Sequence, residues 1–122
     1  MKQTFHEMTV DQLVQRFTAI ALDQDRVLLR NEYAKFNRLF NEMEAIKNEL
    51  QARAGDQRRA LLSLYDHPNT QVRLKAVKAT LAVEPDSARR MLELIADSRE
   101  YPQAGEAGMT IDNLDSGVFK PT

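Results

Sequence analysis

The chain has 122 residues, 43% hydrophobic and 29% charged, which excludes a disordered tail and fits one domain of ordinary size. It has no cysteine, which excludes disulfides, thiolate metal sites and cysteine nucleophiles. Lys and Arg number 17 against 18 Asp and Glu, and the net charge of -1 gives no global attraction to nucleic acid or an anionic membrane.

No glycine or proline precedes Gly55, so the first half reads as helix without a strong breaker. Thr9 with Gln12 forms a capping box, and Leu13, Phe17, Ile20 and Leu22 follow on one face. The cluster Asp23-Gln24-Asp25 is the expected break. A second helix is then predicted from Arg26 to Arg53, about 42 Å long if neither Asn31 nor Asn37 interrupts it. Its apolar stripe is Leu29, Tyr33, Phe36, Phe40, Met43, Ile46 and Leu50. Gly55 closes this helix as a C-terminal glycine.

Beyond Gly55 the elements shorten. Asp56 caps a helix carrying Ala60, Leu61, Leu64 and Tyr65, and His67-Pro68-Asn69 ends it. Asn69 caps the next helix, Thr70 to Val83. Pro85 opens another, with Ala88, Met91, Leu92 and Ile95 inward, and Tyr101-Pro102 ends it. A last helix runs from Gln103 to Leu114, weakened by Gly105 and Gly108 at roughly 1 kcal/mol each. These glycines read as a tight interhelical approach, and Val118 and Phe119 as packing on the last helix pair. The reading is six helices and no strand, an all-α fold.

The segment from Thr70 to Val83 is the most informative. Val72, Ala76, Ala79 and Val83 line one side and Leu74, Val77 and Leu81 another, leaving Gln71, Lys75, Lys78 and Ala82 as a narrow polar wedge. An apolar surface this wide predicts neighbours on both sides.

The run from Leu61 to Leu81, with its Pro-Asn turn, Val72-Arg73 and Ala76, resembles a HEAT-type helical repeat. The whole chain is similar to a small bacterial HEAT-like family catalogued only as a domain of unknown function. Tyr101-Pro102-Gln103-Ala104-Gly105 and Gly117-Val118-Phe119-Lys120-Pro121 also carry that similarity. The resemblance implies a short α-α superhelix of about three hairpins: 8–54 divergent, 56–83 the best repeat, 85–115 looser, and 116–122 an irregular tail. It departs from the repeat pattern at the turn, where His67 stands in place of the usual Asp. The resemblance also brings in immunity partners of bacterial toxins as a functional class.

Candidate chemistry is sparse. His6 and His67 are the only histidines, with no second ligand at helical spacing, so no metal site and no cofactor are expected. His6 is expected in a frayed terminus. Glu42, Glu44 and Glu49 lie beside Arg38 and Lys47 as a solvated face rather than an acid–base pair. Residues 56–99 hold 8 basic against 6 acidic side chains. The second helices of HEAT stacks line a concave face, which would present Gln71, Lys75 and Lys78 there, with Arg73 beside them. The function read from this is a non-catalytic protein-binding module, an immunity or regulatory protein gripping a protein through Gln71, Arg73, Lys75 and Lys78. The alternative is a module binding nucleic-acid backbone through the same cations. Removing Lys75 and Lys78 is expected to change stability by no more than about 0.5 kcal/mol. A homodimer through the Arg26–Arg53 helix is a further expectation, with Ile46 and Leu50 at the seam. The N-terminus lacks the apolar core of a signal peptide and no stretch reaches a ~20-residue span, so a cytoplasmic, membrane-free protein is expected.

Overall fold

The capping box starts the first helix as read: Thr9 accepts from the Gln12 N–H (3.1 Å) and the Gln12 side chain accepts from the Thr9 N–H (2.8 Å). A computed structural model describes residues 4–122, and among these the regular elements are five α-helices and two short 3-10 segments, with no strand. The helices are α1 (Val10–Leu29), α2 (Tyr33–Ala52), α3 (Thr70–Thr80), α4 (Pro85–Asp97) and α5 (Gln103–Asp115). The chain divides into two compact units, one ending at Ala60 and the other beginning at Leu61.

In the first unit, α1 and α2 form a hairpin, and its turn is not where the acidic cluster suggested. Helix α1 continues through Asp23-Gln24-Asp25, because Gln24 is buried on the same stripe as Leu13, Phe17, Ile20, Ala21 and Val27. Asp23 also pairs with Arg26 one turn on (2.6 Å). Tertiary burial thus overrides weak helix propensity. The break falls at Asn31, whose φ of 55° lies in the left-handed region that Asn tolerates better than most residues. The Val27 carbonyl accepts from both the Arg30 and Glu32 N–H groups and closes the turn. A continuous Arg26–Arg53 helix is therefore replaced by two helices.

Helix α2 buries Leu39, Met43, Ile46 and Leu50, an i, i+4, i+7, i+11 stripe. Ile46 and Leu50 are fully buried inside the chain, which corrects their expected place at a dimer seam. At the end of α2, Arg53 donates to Glu49 (2.8 Å) and to the carbonyls of Phe5 and His6 (3.1 and 3.2 Å). His6 sits in the 3-10 turn Phe5–Glu7 rather than in a frayed terminus. Gly55 takes the left-handed turn (φ 78°) that ends this region, as its position implied.

The predicted 56–66 helix is a 3-10 segment, Gln57–Asp66. Its buried residues Arg58, Leu61 and Leu64 recur every third position, the spacing that aligns side chains at three residues per turn. Asp56 caps it, accepting from the Arg58 backbone N–H (3.3 Å) and from its guanidinium (2.7 and 2.9 Å).

In the second unit Asn69 caps α3 by accepting from the Val72 N–H (3.1 Å). The core joins Leu74, Val77 and Leu81 to Ala88, Leu92 and Ile95 of α4 and Ala107 of α5. Helix α3 stops at Thr80, whose carbonyl accepts from both Val83 and Glu84 just before Pro85. The Thr80 hydroxyl donates to the Ala76 and Val77 carbonyls, so the Tyr65 hydroxyl is the donor in their 2.6 Å bond. Burial pushes the Tyr65 phenol above its ordinary value. Arg89 and Asp115 clamp α4 to α5 through two bonds (2.5 and 3.1 Å).

Two expectations about the C-terminal region are corrected. An added Cβ would meet nothing within 4 Å at Gly108 and only Tyr101 at 3.9 Å from Gly105, so these glycines mark no tight approach. The buried small residues of α5 are Ala104 and Ala107. Val118 and Phe119 are exposed instead of packed, although the Phe119 N–H donates to the Asn113 carbonyl (3.0 Å).

Candidate functional site

The polar wedge of α3 comes together as a seam with α5. Gln71, Lys75 and Lys78 follow one another at i, i+4, i+7 on α3, opposite Gln103 and Glu106 at i, i+3 on α5. The Gln103 amide donates to the Gln71 side-chain oxygen (2.9 Å), and Gln71 is only 2% exposed. Lys75, at 7% exposure, and the half-buried Lys78 both donate to the same Glu106 oxygen at 3.0 Å. Burial pushes the Glu106 carboxyl up, but the two ammonium groups outweigh it and hold the carboxyl below its ordinary range.

Arg73 turns away from this seam toward the start of its own helix. Its guanidinium donates to the His67 carbonyl (2.7 Å) and to the Thr70 hydroxyl (2.8 Å), with Glu100 4.0 Å away. Thr70 donates in turn to Glu100. His67 uses Nδ1 to accept from the Asn69 N–H (3.0 Å) and so shapes the turn. The four residues read as a concave contact face therefore hold the second unit together. Gln71 and Lys75 have no open face to offer a partner or a phosphate.

The acidic residues of α2 are also engaged. Glu42 lies 3.5 Å from Arg16, Glu44 3.1 Å from Lys47, and Glu49 2.8 Å from Arg53. The hydrogen bond from Arg53 keeps the Glu49 carboxyl below its ordinary value against some burial. Among the described residues no group of three or more His, Asp or Glu side chains is placed to hold a metal ion.

A different surface stands open at the α1–α2 elbow. Leu29 is 83%, Tyr33 66% and Phe40 42% exposed, and Phe36 is half-buried between them. Tyr33, Phe36 and Phe40 fall at i, i+3, i+7, along one strip beside the buried Leu39–Met43–Ile46–Leu50 stripe. Every residue from Leu29 to Lys35 is exposed, including Arg30 and Glu32. Arg30, Glu32, Lys35 and Arg38 have no ion-pair partner among the described residues, a local excess of two positive charges. The sequence runs these aromatics into one apolar stripe with Met43, Ile46 and Leu50. The signal that separates them is the Leu39-to-Leu50 stripe, which is aliphatic throughout and runs into the end of the helix.

The second unit also exposes apolar side chains, namely Leu94, Tyr101, Met109, Val118 and Phe119. They come from α4, a turn, α5 and the tail, scattered over separate elements as on any surface, with Val118 and Phe119 adjacent in the tail.

No curated protein matches the chain. It is similar to a protein of known structure, RPA1889 from Rhodopseudomonas palustris CGA009, at 54% identity over 99% of this chain and 100% of the other, with a TM-score of 0.95. The model of a domain of unknown function, DUF2019, matches residues 11–115. That match takes in all five helices but for the first residue of α1, and the chain belongs to this family of domains of unknown function.

Proposed function

We propose that the protein is a non-catalytic, HEAT-like protein-binding module and that it binds through the α1–α2 elbow. The observation that carries this reading is the exposure of Leu29, Tyr33 and Phe40 within twelve residues of chain, with Phe36 beside them. Apolar side chains grouped on one element and left in water are a mark of an association surface. Aromatic residues dominate the energetics of such surfaces because each buries a large area with few rotatable bonds. The HEAT-like part rests on the Pro-Asn turn, the Asn69 cap and the near-complete burial of α3. A regulatory or toxin-neutralising role, the one the family resemblance suggests, uses such a surface without requiring a reacting group.

A photo-crosslinking residue at Tyr33 tests this reading in the producing cell. A protein adduct of one discrete mass is expected, lost when Phe40→Ser is added and not formed from the same crosslinker at Met109. No adduct from position 33, or equal adducts from both positions, overturns the assignment.

A further inference from the structure

We propose that the neutral imidazole of His67 is a proton-sensitive acceptor that closes the turn into α3, and that acidification below neutrality opens this turn while the rest of the second unit stays folded. His67 Nδ1 lies 3.0 Å from the Asn69 nitrogen and accepts its N–H. A backbone N–H can only donate, so Nδ1 carries the lone pair and the ring proton is on Nε2. Asp and Asn ordinarily make such an i to i+2 side-chain turn; here a ring makes it that can take up a second proton. The imidazolium has two donors and no acceptor. Protonation at Nδ1 therefore sets one N–H against another, and the half-buried ring must swing away. The turn holds no substitute for the ring: the His67 N–H donates to the Leu64 carbonyl (3.0 Å), and Pro68 has no N–H. Asn69 also caps α3 through the Val72 N–H, so release of its backbone reaches the first turn of that helix.

Three charged groups surround the turn. Arg73 faces it from α3, donating to the His67 carbonyl (2.7 Å) and the Thr70 hydroxyl (2.8 Å). Glu100, ahead of α5, accepts from Thr70 and lies 4.0 Å from Arg73. Asp66, exposed, ends the 3-10 segment just before His67. Arg73 repels an imidazolium and the two carboxylates attract it, but none of the three supplies an acceptor in place of Nδ1. The Arg73 contacts run to the His67 carbonyl and to Thr70 rather than to the ring, so they persist when the ring is charged and keep the opening local. His6 and His67 are the only side chains whose ordinary titration falls between about pH 5 and 8. Glu106 is held below its ordinary 4.5, so the α3–α5 seam keeps its charge over that interval.

The test uses the full chain, uniformly labelled with nitrogen-15, at about pH 7.5 and about pH 5.5, on either side of the ordinary imidazole titration. Ring nitrogen shifts at the higher pH are expected to show Nδ1 bare and Nε2 protonated. Hydrogen exchange, corrected for the intrinsic rate at each pH, then reads the Asn69 N–H. Its protection is expected to fall about tenfold on acidification, the worth of roughly one hydrogen bond. Amides from Lys75 to Thr80 and those of α5 are expected to stay within about twofold. His67→Asn supplies an oxygen acceptor that does not titrate, and is expected to keep the Asn69 amide protected at both pH values. His67→Ala is expected to leave it unprotected at both, and His6→Ala to leave the fall in place. A protonated Nδ1 at the higher pH, unchanged protection on acidification, the same fall in His67→Asn, or an equal loss throughout α3 and α5 overturns the inference.

Discussion

Gly105 and Gly108 sit inside α5 where nothing in the second unit asks for the absence of a side chain. Each therefore carries the backbone-entropy cost of glycine in a helix without a packing gain to offset it. Gly105→Ala and Gly108→Ala should each raise stability by about 0.5–1 kcal/mol, read as a higher melting temperature. Gly55→Ala should do the reverse, because φ is 78° there. Single residues also explain where sequence reading succeeds. Thr9 and Asn69 bond to the helices they cap and Pro85 is the first residue of its own, so their roles are local and visible in a short window. Asn31 is harder. Its side-chain type permits a left-handed turn without demanding one, and Asp23-Gln24-Asp25 offers a stronger local signal that burial of Gln24 overrules.

At the level of elements, the α3–α5 seam inverts an expectation. Wedge residues between two apolar sides of a helix look solvated in sequence, and here they receive Gln103 and Glu106 instead. No one-dimensional pattern announces that pairing, since the partners are 31 and 32 residues apart in the chain. Lys75→Ala should therefore cost more than the ~0.5 kcal/mol expected of a surface lysine. We expect about 1–2 kcal/mol in chemical denaturation, less than for a fully buried pair, because Glu106 is 38% exposed and keeps Lys78. The pH dependence has a definite sign. Glu106 titrates lower in the folded chain than its ordinary 4.5, so its contribution is present above that value and is lost as pH falls through it toward the folded value. Asp56 and Asp115 are shifted the same way by Arg58 and Arg89. Glu106→Gln should flatten part of the acid limb of the stability profile. An unchanged limb would show that the carboxylate contributes nothing through this seam.

For the whole molecule, the helical class and most element starts were legible in the sequence, because apolar period and capping are encoded within a few residues. The elbow was not. Two apolar stripes overlap on α2, and which one is buried depends on where α1 lies against it. The exposed apolar strip emerges only after the core has claimed Leu39, Met43, Ile46 and Leu50 and left Tyr33 and Phe40 outside.

Helix α5 fully buries only Gln103, Ala104, Ala107 and Thr110, with Ile111 and Leu114 half-buried against the core and Asp115 clamped by Arg89, whereas α3 buries nine side chains. Native chains open piecemeal, and the segment with least apolar anchorage exchanges its amide protons first. In heavy water, α5 amides should therefore take up deuterium ahead of those of α3, and mild acid should widen the gap as Glu106 loses its charge. The molecule would come apart from its last helix inward, in an order set by which carboxylate is neutralised.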